Sequence, residues 1–365
     1  MNALALLVAL ALDRWWGEPR ARLHPVVWMG NYLGWVGQHL QRVARQESQT
    51  SGQQVPAPSS LRLTSDFKIF WLGALYWIAG AAIVLVVAWI LQHGVMALPQ
   101  WLGPVPGGLL AALLLGLLLK PMLAWAMLKS EVLAVENALD SECGGSLAAG
   151  RERLRWLVSR DVTQLTETQV RESAIETLAE NLNDSVVAPI FWFVLLGLPG
   201  AALYRFANTA DAMWGYHGVY KGQNWEWAGK WAARADDVLS WLPARITAYL
   251  LVVVCWMQSL ASNQPQPIAV ASTDQSGADA AFVMALLPQE AARTPSPNSG
   301  WPMAAMALVL GVCLHKPGVY ALNPAGRLPQ AQDTQNAISY ASKSLVALLF
   351  IAQAAMLFVV IRGWA

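Results

Sequence analysis

Between Phe70 and Leu91 the chain runs about 22 residues without one charged side chain. A helix of that length rises far enough to cross a hydrocarbon core of about 30 Å. Inside a bilayer the backbone N–H and C=O groups have no water to bond, so the spanning conformations are helices and closed barrels, and a run of this length and uniformity selects the helix. The rest of the composition agrees. The chain is 56% hydrophobic and 13% charged, against roughly 25% charged in soluble domains, and its mean hydropathy is +0.38. Nineteen tryptophans fit a protein that meets the headgroup layer on both sides. The expected class is all-α, a polytopic membrane protein of about four to six transmembrane helices.

A second candidate span runs from Val105 to about Leu128, interrupted by Lys120-Pro121, and a last one from Leu345 to Ile361, bracketed by Lys343 and Arg362. Ile246–Leu260 is at the short limit for crossing. Met1–Leu12 and Trp301–Leu314 are also short. The first has neither a cationic region before it nor a small-residue cleavage site after it, so it is expected to stay in the mature chain. Val186–Leu203 has the length but holds Pro189, Gly197, Pro199 and Gly200. It is expected to be a broken or re-entrant segment whose freed backbone groups find protein partners.

Basic residues give the expected orientation. Gln92–Pro104 carries no Lys or Arg, so it belongs outside. Residues 129–185 and 204–245 are both rich in Arg and Lys and are expected on the cytoplasmic face, which requires Val186–Leu203 to dip in and return. In a bacterium this is the inner membrane. Polar stretches at about 46–65 and 262–277 read as linkers within one membrane-embedded domain, 1–365. A net charge of +1 argues against a nucleic-acid partner. Cys143, Cys255 and Cys313 show neither metal-ligand spacing nor a disulfide framework.

The densest chemistry lies just before the broken segment. Glu176, Glu180 and Asp184 stand four residues apart, and on a helix they stack on one face opposite Ile175, Leu178 and Leu182. Three like charges repel at a few tenths of a kcal/mol per pair. A hard divalent cation would compensate them; a solvated acidic surface is the other reading.

Several stretches resemble the CbiB/CobD family of cobalamin biosynthesis. They begin with Leu12-Asp13, Gly17-Glu18-Pro19 and His24-Pro25-Val26, then Ser159-Arg160-Asp161, then Glu176-Thr177-Leu178-Ala179-Glu180-Asn181 with Asp184, and Ala188-Pro189. Tyr204-Arg205, Asn208-Thr209 with Asp211, Arg234 with Asp236-Asp237, Pro243-Ala244-Arg245, Pro297-Asn298 and Gly318 with Tyr320 follow in the family's order. Glu18 departs from the usual Gly-Asp-Pro of the opening motif. Membrane proteins of the AmpE type are similar in architecture and lack the Glu-Asn-x-x-Asp signature present here.

The resemblance implies adenosylcobinamide-phosphate synthase, a carbon–nitrogen ligase that joins (R)-1-aminopropan-2-ol, as its O-phosphate, to a propionate of adenosylcobyric acid. ATP and Mg²⁺ are the implied cofactors, the corrinoid is substrate, and other cobalamin-pathway enzymes and the lipid bilayer are implied partners. Carried over by position, Glu176, Glu180, Asn181, Asp184, Arg160 and Asp161 become catalytic candidates, with Glu180 and Asp184 holding metal. Arg205, Asn208, Asp211, Arg234, Asp236, Asp237, Arg245, Asp13, His24 and Asn298 become candidates for binding substrate and phosphate. The residues also admit plainer roles. Arg160-Asp161 and Arg234 with Asp236-Asp237 fit local ion pairs, Asn208 with Asp211 fits a helix cap, Asn298 fits a turn, and His24 fits a structural histidine. No Gly-x-x-x-x-Gly-Lys-[Ser/Thr] or Gly-x-Gly-x-x-Gly phosphate loop is present. A transporter with a discontinuous helix and a non-catalytic membrane scaffold are the alternatives.

Overall fold

Apolar runs become helices in the computed structural model, which describes residues 1–50, 59–140, 144–262 and 280–363. Residues 51–58 of the first polar linker, 263–277 of the second, and Cys143 lie outside the described residues. In chain order the helices are α1 (Asn2–Trp16), α2 (Pro25–Thr50), α3 (Ser59–Met96), α4 (Leu98–Leu102), α5 (Pro104–Leu119), α6 (Trp125–Leu139) and α7 (Leu147–Leu154). There follow α8 (Glu167–Leu182), α9 (Ala188–Trp214), α10 (Lys230–Ser262), α11 (Ala280–Ala291), α12 (Gly300–Leu310) and α13 (Ala331–Gly363). The described residues also include two small antiparallel hairpins, β1 (Val219–Tyr220) with β2 (Gln223–Asn224), and β3 (Leu314–Lys316) with β4 (Tyr320–Leu322).

Among the described residues five stretches are long and apolar enough to cross a membrane: Asp66–Leu102, Pro104–Leu139, Glu167–Trp214, Lys230–Ala261 and Ala331–Val359. The chain is therefore a polytopic helical membrane protein. The break expected at Lys120-Pro121 is present, as a 3₁₀ turn over Lys120–Met122 between α5 and α6. Trp301–Leu314 stops short as a helix, because Gly311 adopts φ +64° and closes α12 with a left-handed cap.

Val186–Leu203 is broken as its Gly and Pro content suggested. Gly197 sits at φ +69°, ψ −155°, a conformation that only glycine adopts without strain. Gln92 Oε1 accepts the Leu198 N–H freed there, at 2.7 Å, which is the side-chain repair a membrane break requires.

The described residues group into two compact units. The first comprises Met1–Leu12, Glu18–Leu123 and Pro189–Leu239; the second comprises Asp13–Gly17, Ala124–Ala188 and Ser240–Ala365. In the first, small residues let backbones approach, as lipid-embedded helices need when hydrophobic drive between them is weak. A Cβ on Gly73 would lie 2.2 Å from the Ala228 carbonyl, and one on Gly80 2.5 Å from the rings of Phe206 and Tyr32. The β1–β2 turn places Lys221 at φ +49° and Gly222 at φ +75°. Left-handed backbone costs a lysine about 1–2 kcal/mol.

In the second unit α12 is buried along nearly its whole length, and a Cβ on Gly300 would strike the Ala291 carbonyl at 2.3 Å. α8 opens with a capping box, Thr166 with Gln169. An ion pair ties the unit's centre: Arg171 Nε donates to Glu136 Oε1 at 2.9 Å, and Thr334 Oγ1 donates to Glu136 Oε2 at 2.6 Å. Cys255 and Cys313 are free thiols.

Candidate active site

α8 carries the acidic stripe, but its registers and surroundings differ from a plain exposed face. Glu176 is 5% exposed and Glu172, one turn earlier, 3%. A solvated surface does not look like this. Glu180 and Asp184 are half-buried further along. Asn183–Val187 winds as a π turn, so Asp184 does not continue the straight stripe of a 3.6-residue helix. A π turn leaves backbone groups to be satisfied elsewhere. The Ser185 carbonyl accepts the Ala124 N–H at 3.1 Å, and the Asn183 side chain is held by Thr247 Oγ1 at 3.2 Å while donating to Asp184 Oδ1 at 2.8 Å.

Around the buried pair stand cations and a phenol. Arg160 Nη2 lies 3.4 Å from Glu176 Oε2 and also donates to Ser173 Oγ. Lys316, on β3, acts on Glu176 electrostatically. Burial first, then the Glu176 carboxylate, push the Tyr320 phenol well above its ordinary range. Burial, with Glu172 and Glu176 adding to it, likewise raises the Cys313 thiol. Glu172 Oε2 and Glu176 Oε1 are buried without a well-aligned donor among the described residues. Burying carboxylate oxygens in this way is unfavourable unless a cation, a proton or a ligand donor arrives.

Among the described residues no group of three or more His, Cys, Asp or Glu is arranged to hold a metal ion.

Within the same unit Arg245 and Asn298, 53 residues apart, meet: Arg245 Nη1 donates to Asn298 Oδ1 at 3.2 Å. The guanidinium lies 4.2 Å from the Trp241 ring and 4.6 Å from the Trp301 ring, which fixes its plane. Asn181 donates its amide to the Thr177 carbonyl of its own helix at 3.0 Å. Asp161 is exposed and accepts the Thr163 N–H at 2.9 Å, a turn bond that holds its carboxyl below the ordinary range. Asp13, 1% exposed, accepts the Ala126 N–H at 2.8 Å and so caps the start of α6.

The remaining candidates belong to the first unit. Arg205, Asn208 and Asp211 lie at three-residue spacing on α9, all half-buried. Arg234, Asp236 and Asp237 lie in the first turns of α10, and the charges of Arg234 and His217 act on Asp237. His24 accepts the Val26 N–H at Nδ1, 3.2 Å, so its Nε2 carries the proton toward Glu18 Oε2 at 3.1 Å. Glu18 also pairs with the buried Lys120 at 2.7 Å. Burial raises the Glu18 carboxyl, but His24 and Lys120 outweigh it and hold the group below its ordinary value. Glu172, Ser173, Lys316 and Lys120 were not candidates from the sequence. Glu172 was within reach, since it extends the four-residue spacing by one step toward the N-terminus.

A family profile described as CobD/Cbib protein matches residues 6–348. The chain is 35% identical to the probable cobalamin biosynthesis protein CobD of Methanothermobacter thermautotrophicus, covering 96% of this chain and 97% of that protein. It is 30% identical to the cobalamin biosynthesis protein CobD of Yersinia enterocolitica, covering 88% and 84%. Against that of Dehalococcoides mccartyi it is 30% identical, covering 90% and 89%. No solved structure matches.

Proposed function

We propose that this chain, which belongs to the CobD/CbiB protein family and serves cobalamin biosynthesis, is adenosylcobinamide-phosphate synthase. The reaction is an ATP-dependent amide ligation between aminopropanol phosphate and a propionate of adenosylcobyric acid. The observation that supports it most is the buried Glu172–Glu176 pair with unfilled acceptor capacity, flanked by Arg160 and Lys316.

A carboxylate becomes an electrophile once it is phosphorylated, and the amine then attacks with loss of phosphate. An aminopropanol arrives as an ammonium ion. Glu172 and Glu176 bind that cation, and Glu176 takes its proton as the free amine forms. Arg160 and Arg245 hold phosphate or propionate oxygens, the stacked guanidinium of Arg245 being pre-oriented for a bidentate contact. Glu180 and Asp184 are the carboxylates that would hold Mg²⁺, which would supply charge neutralisation for phosphoryl oxygens. Tyr320, kept as a neutral phenol, donates toward the carboxylates when they are charged.

The site faces the cytoplasm of the inner membrane, where ATP is available, and other cobalamin-pathway enzymes dock on that face. Single cysteines at Arg155 and Gln100, both exposed, should label from opposite sides; labelling from the same side contradicts the orientation. The chemistry is tested with membranes containing the protein, adenosylcobyric acid, aminopropanol phosphate and Mg²⁺. Amide product by mass with ATP and none without it is expected; equal product without ATP refutes the ligation.

A further inference from the structure

Asp66 and Lys68 are the last charged residues before the uncharged run Phe70–Leu91 on α3. Beyond Asp66, the apolar side chains of Phe67, Trp71, Leu75 and Ile78 are all exposed, at i, i+4, i+8 and i+11, so they form one stripe along the helix. On a spanning helix such a stripe faces hydrocarbon, where a carboxylate would be costly. Asp66 therefore stands at the level of the lipid headgroups, the layer in which tryptophan also concentrates.

At that level the first unit holds a cavity of about 340 Å³, lined among others by Gln41, Arg45, Asp66, Asn224 and Trp227, within the range of small-molecule sites. Gln41 and Arg45 come from one face of α2, at i, i+4. The walls are tied together. The buried Gln41 donates from Nε2 to the Asn224 carbonyl at 2.8 Å, and Asn224 Oδ1 accepts the Glu226 N–H at 3.1 Å. Lys230 Nζ lies 4.1 Å from the centre of the Trp227 ring, a contact that holds the indole in place. Arg45 and Asp66 line this one cavity, yet among the described residues neither takes part in an ion pair.

A cation and an anion on separate walls, held apart rather than paired, complement a ligand that carries both charges. We propose that this cavity binds the headgroup of phosphatidylethanolamine, with its phosphate diester against Arg45 and its primary ammonium donating to Asp66. The acyl chains continue into the hydrocarbon that Phe67, Trp71, Leu75 and Ile78 face. An anionic headgroup without an amine brings a like charge to Asp66, and a trimethylated amine has no N–H to donate, so both are discriminated against. A free aminoalkyl phosphate, such as the amine substrate of the proposed ligation, carries the same two groups without the chains. The inference does not rest on the ligation reading.

The test is native mass spectrometry of the full chain in detergent, titrated with phosphatidylethanolamine, phosphatidylglycerol and phosphatidylcholine of identical acyl chains. Phosphatidylethanolamine should bind about fivefold or more tighter than the other two, a result that needs no variant. Arg45→Gln should weaken it about fivefold, and Asp66→Asn should abolish the preference over phosphatidylglycerol. Arg42→Gln removes an exposed charge that does not line the cavity and should leave binding at the wild-type level. Equal affinity for the three lipids overturns the proposal. So does equal weakening by Arg42→Gln and Arg45→Gln, which would mean general attraction to the basic surface. Displacement of the lipid by an equal concentration of aminopropanol phosphate overturns it as well, giving the cavity to a soluble amine.

Discussion

Glu136 and Glu176 lie in the same unit, are 6% and 5% exposed, and each faces an arginine. They are nonetheless opposite cases. Both Glu136 oxygens are engaged, by Arg171 at 2.9 and 3.2 Å and by Thr334 at 2.6 Å, and Arg171 is shared with Glu167 at 2.7 Å. Glu176 has one arginine contact at 3.4 Å, a contact with the Tyr320 phenol, a second carboxylate one turn away, and one oxygen with no well-aligned donor among the described residues. The first network is closed, and the second leaves acceptor capacity open. Burial and charge type alone do not tell the two apart, and the count of filled acceptor positions does.

The comparison breaks most sharply on activity. Glu176→Gln should lower the rate of amide formation by about 10²-fold or more, the usual range for losing a positioned acid–base group, with stability within about 1 kcal/mol of wild type. Glu136→Gln should do the reverse. It leaves Arg171 short of a buried partner and should cost about 3 kcal/mol of stability, at the low end for a broken buried pair because Glu167 remains. Its specific activity, per folded protein, should stay close to wild type. Denaturation in detergent together with turnover measurements separates the two variants, and a Glu136→Gln protein that is stable but inactive would merge the cases.

Smaller changes sharpen the contrast. Thr334→Val removes one donor from the closed network and should cost about 1 kcal/mol. Glu172→Gln relieves a like-charge neighbour in the open one and should raise the melting temperature while lowering activity less than Glu176→Gln does. Reversal of those two signs would contradict the assignment of the networks.

The legible part of this fold was its hydrophobic skeleton. Charge-free runs marked the spans, and Gly197 among prolines marked the broken helix. Helix ends were harder: α10 starts at Lys230, well before the apolar Ile246–Leu260, because its polar first turns are helical too. The π turn at Asn183–Val187 has no sequence signal, since it depends on Ala124 and Thr247 arriving from other elements. The stripe of Glu176 and Glu180 was visible from spacing, whereas Tyr320 and Lys316 reach it from over 130 residues away. Local pattern cannot supply such a contact. Asn181 shows the converse, a motif residue whose amide is engaged by its own helix.

Glu18 is the intermediate case, buried in part yet better supplied with donors than Glu176. Its carboxyl lies below the ordinary value despite burial, through His24 and Lys120. The sign follows: its stabilisation is fully present above the unfolded value of about 4.5 and is lost as pH falls through the lower folded value. Acid titration of stability should therefore flatten in Glu18→Gln over that window. An identical acid profile in wild type and variant would remove Glu18 from the comparison. This is the smallest of the expected effects.

The most direct test of the account places Glu176→Gln and Glu136→Gln side by side in the ATP-dependent amide assay, with folded protein quantified in each sample. Loss of product in Glu176→Gln at normal folded levels, with product per folded molecule preserved in Glu136→Gln, is the predicted result. Full product from Glu176→Gln would contradict it, and the buried carboxylate pair would then have no part in the chemistry.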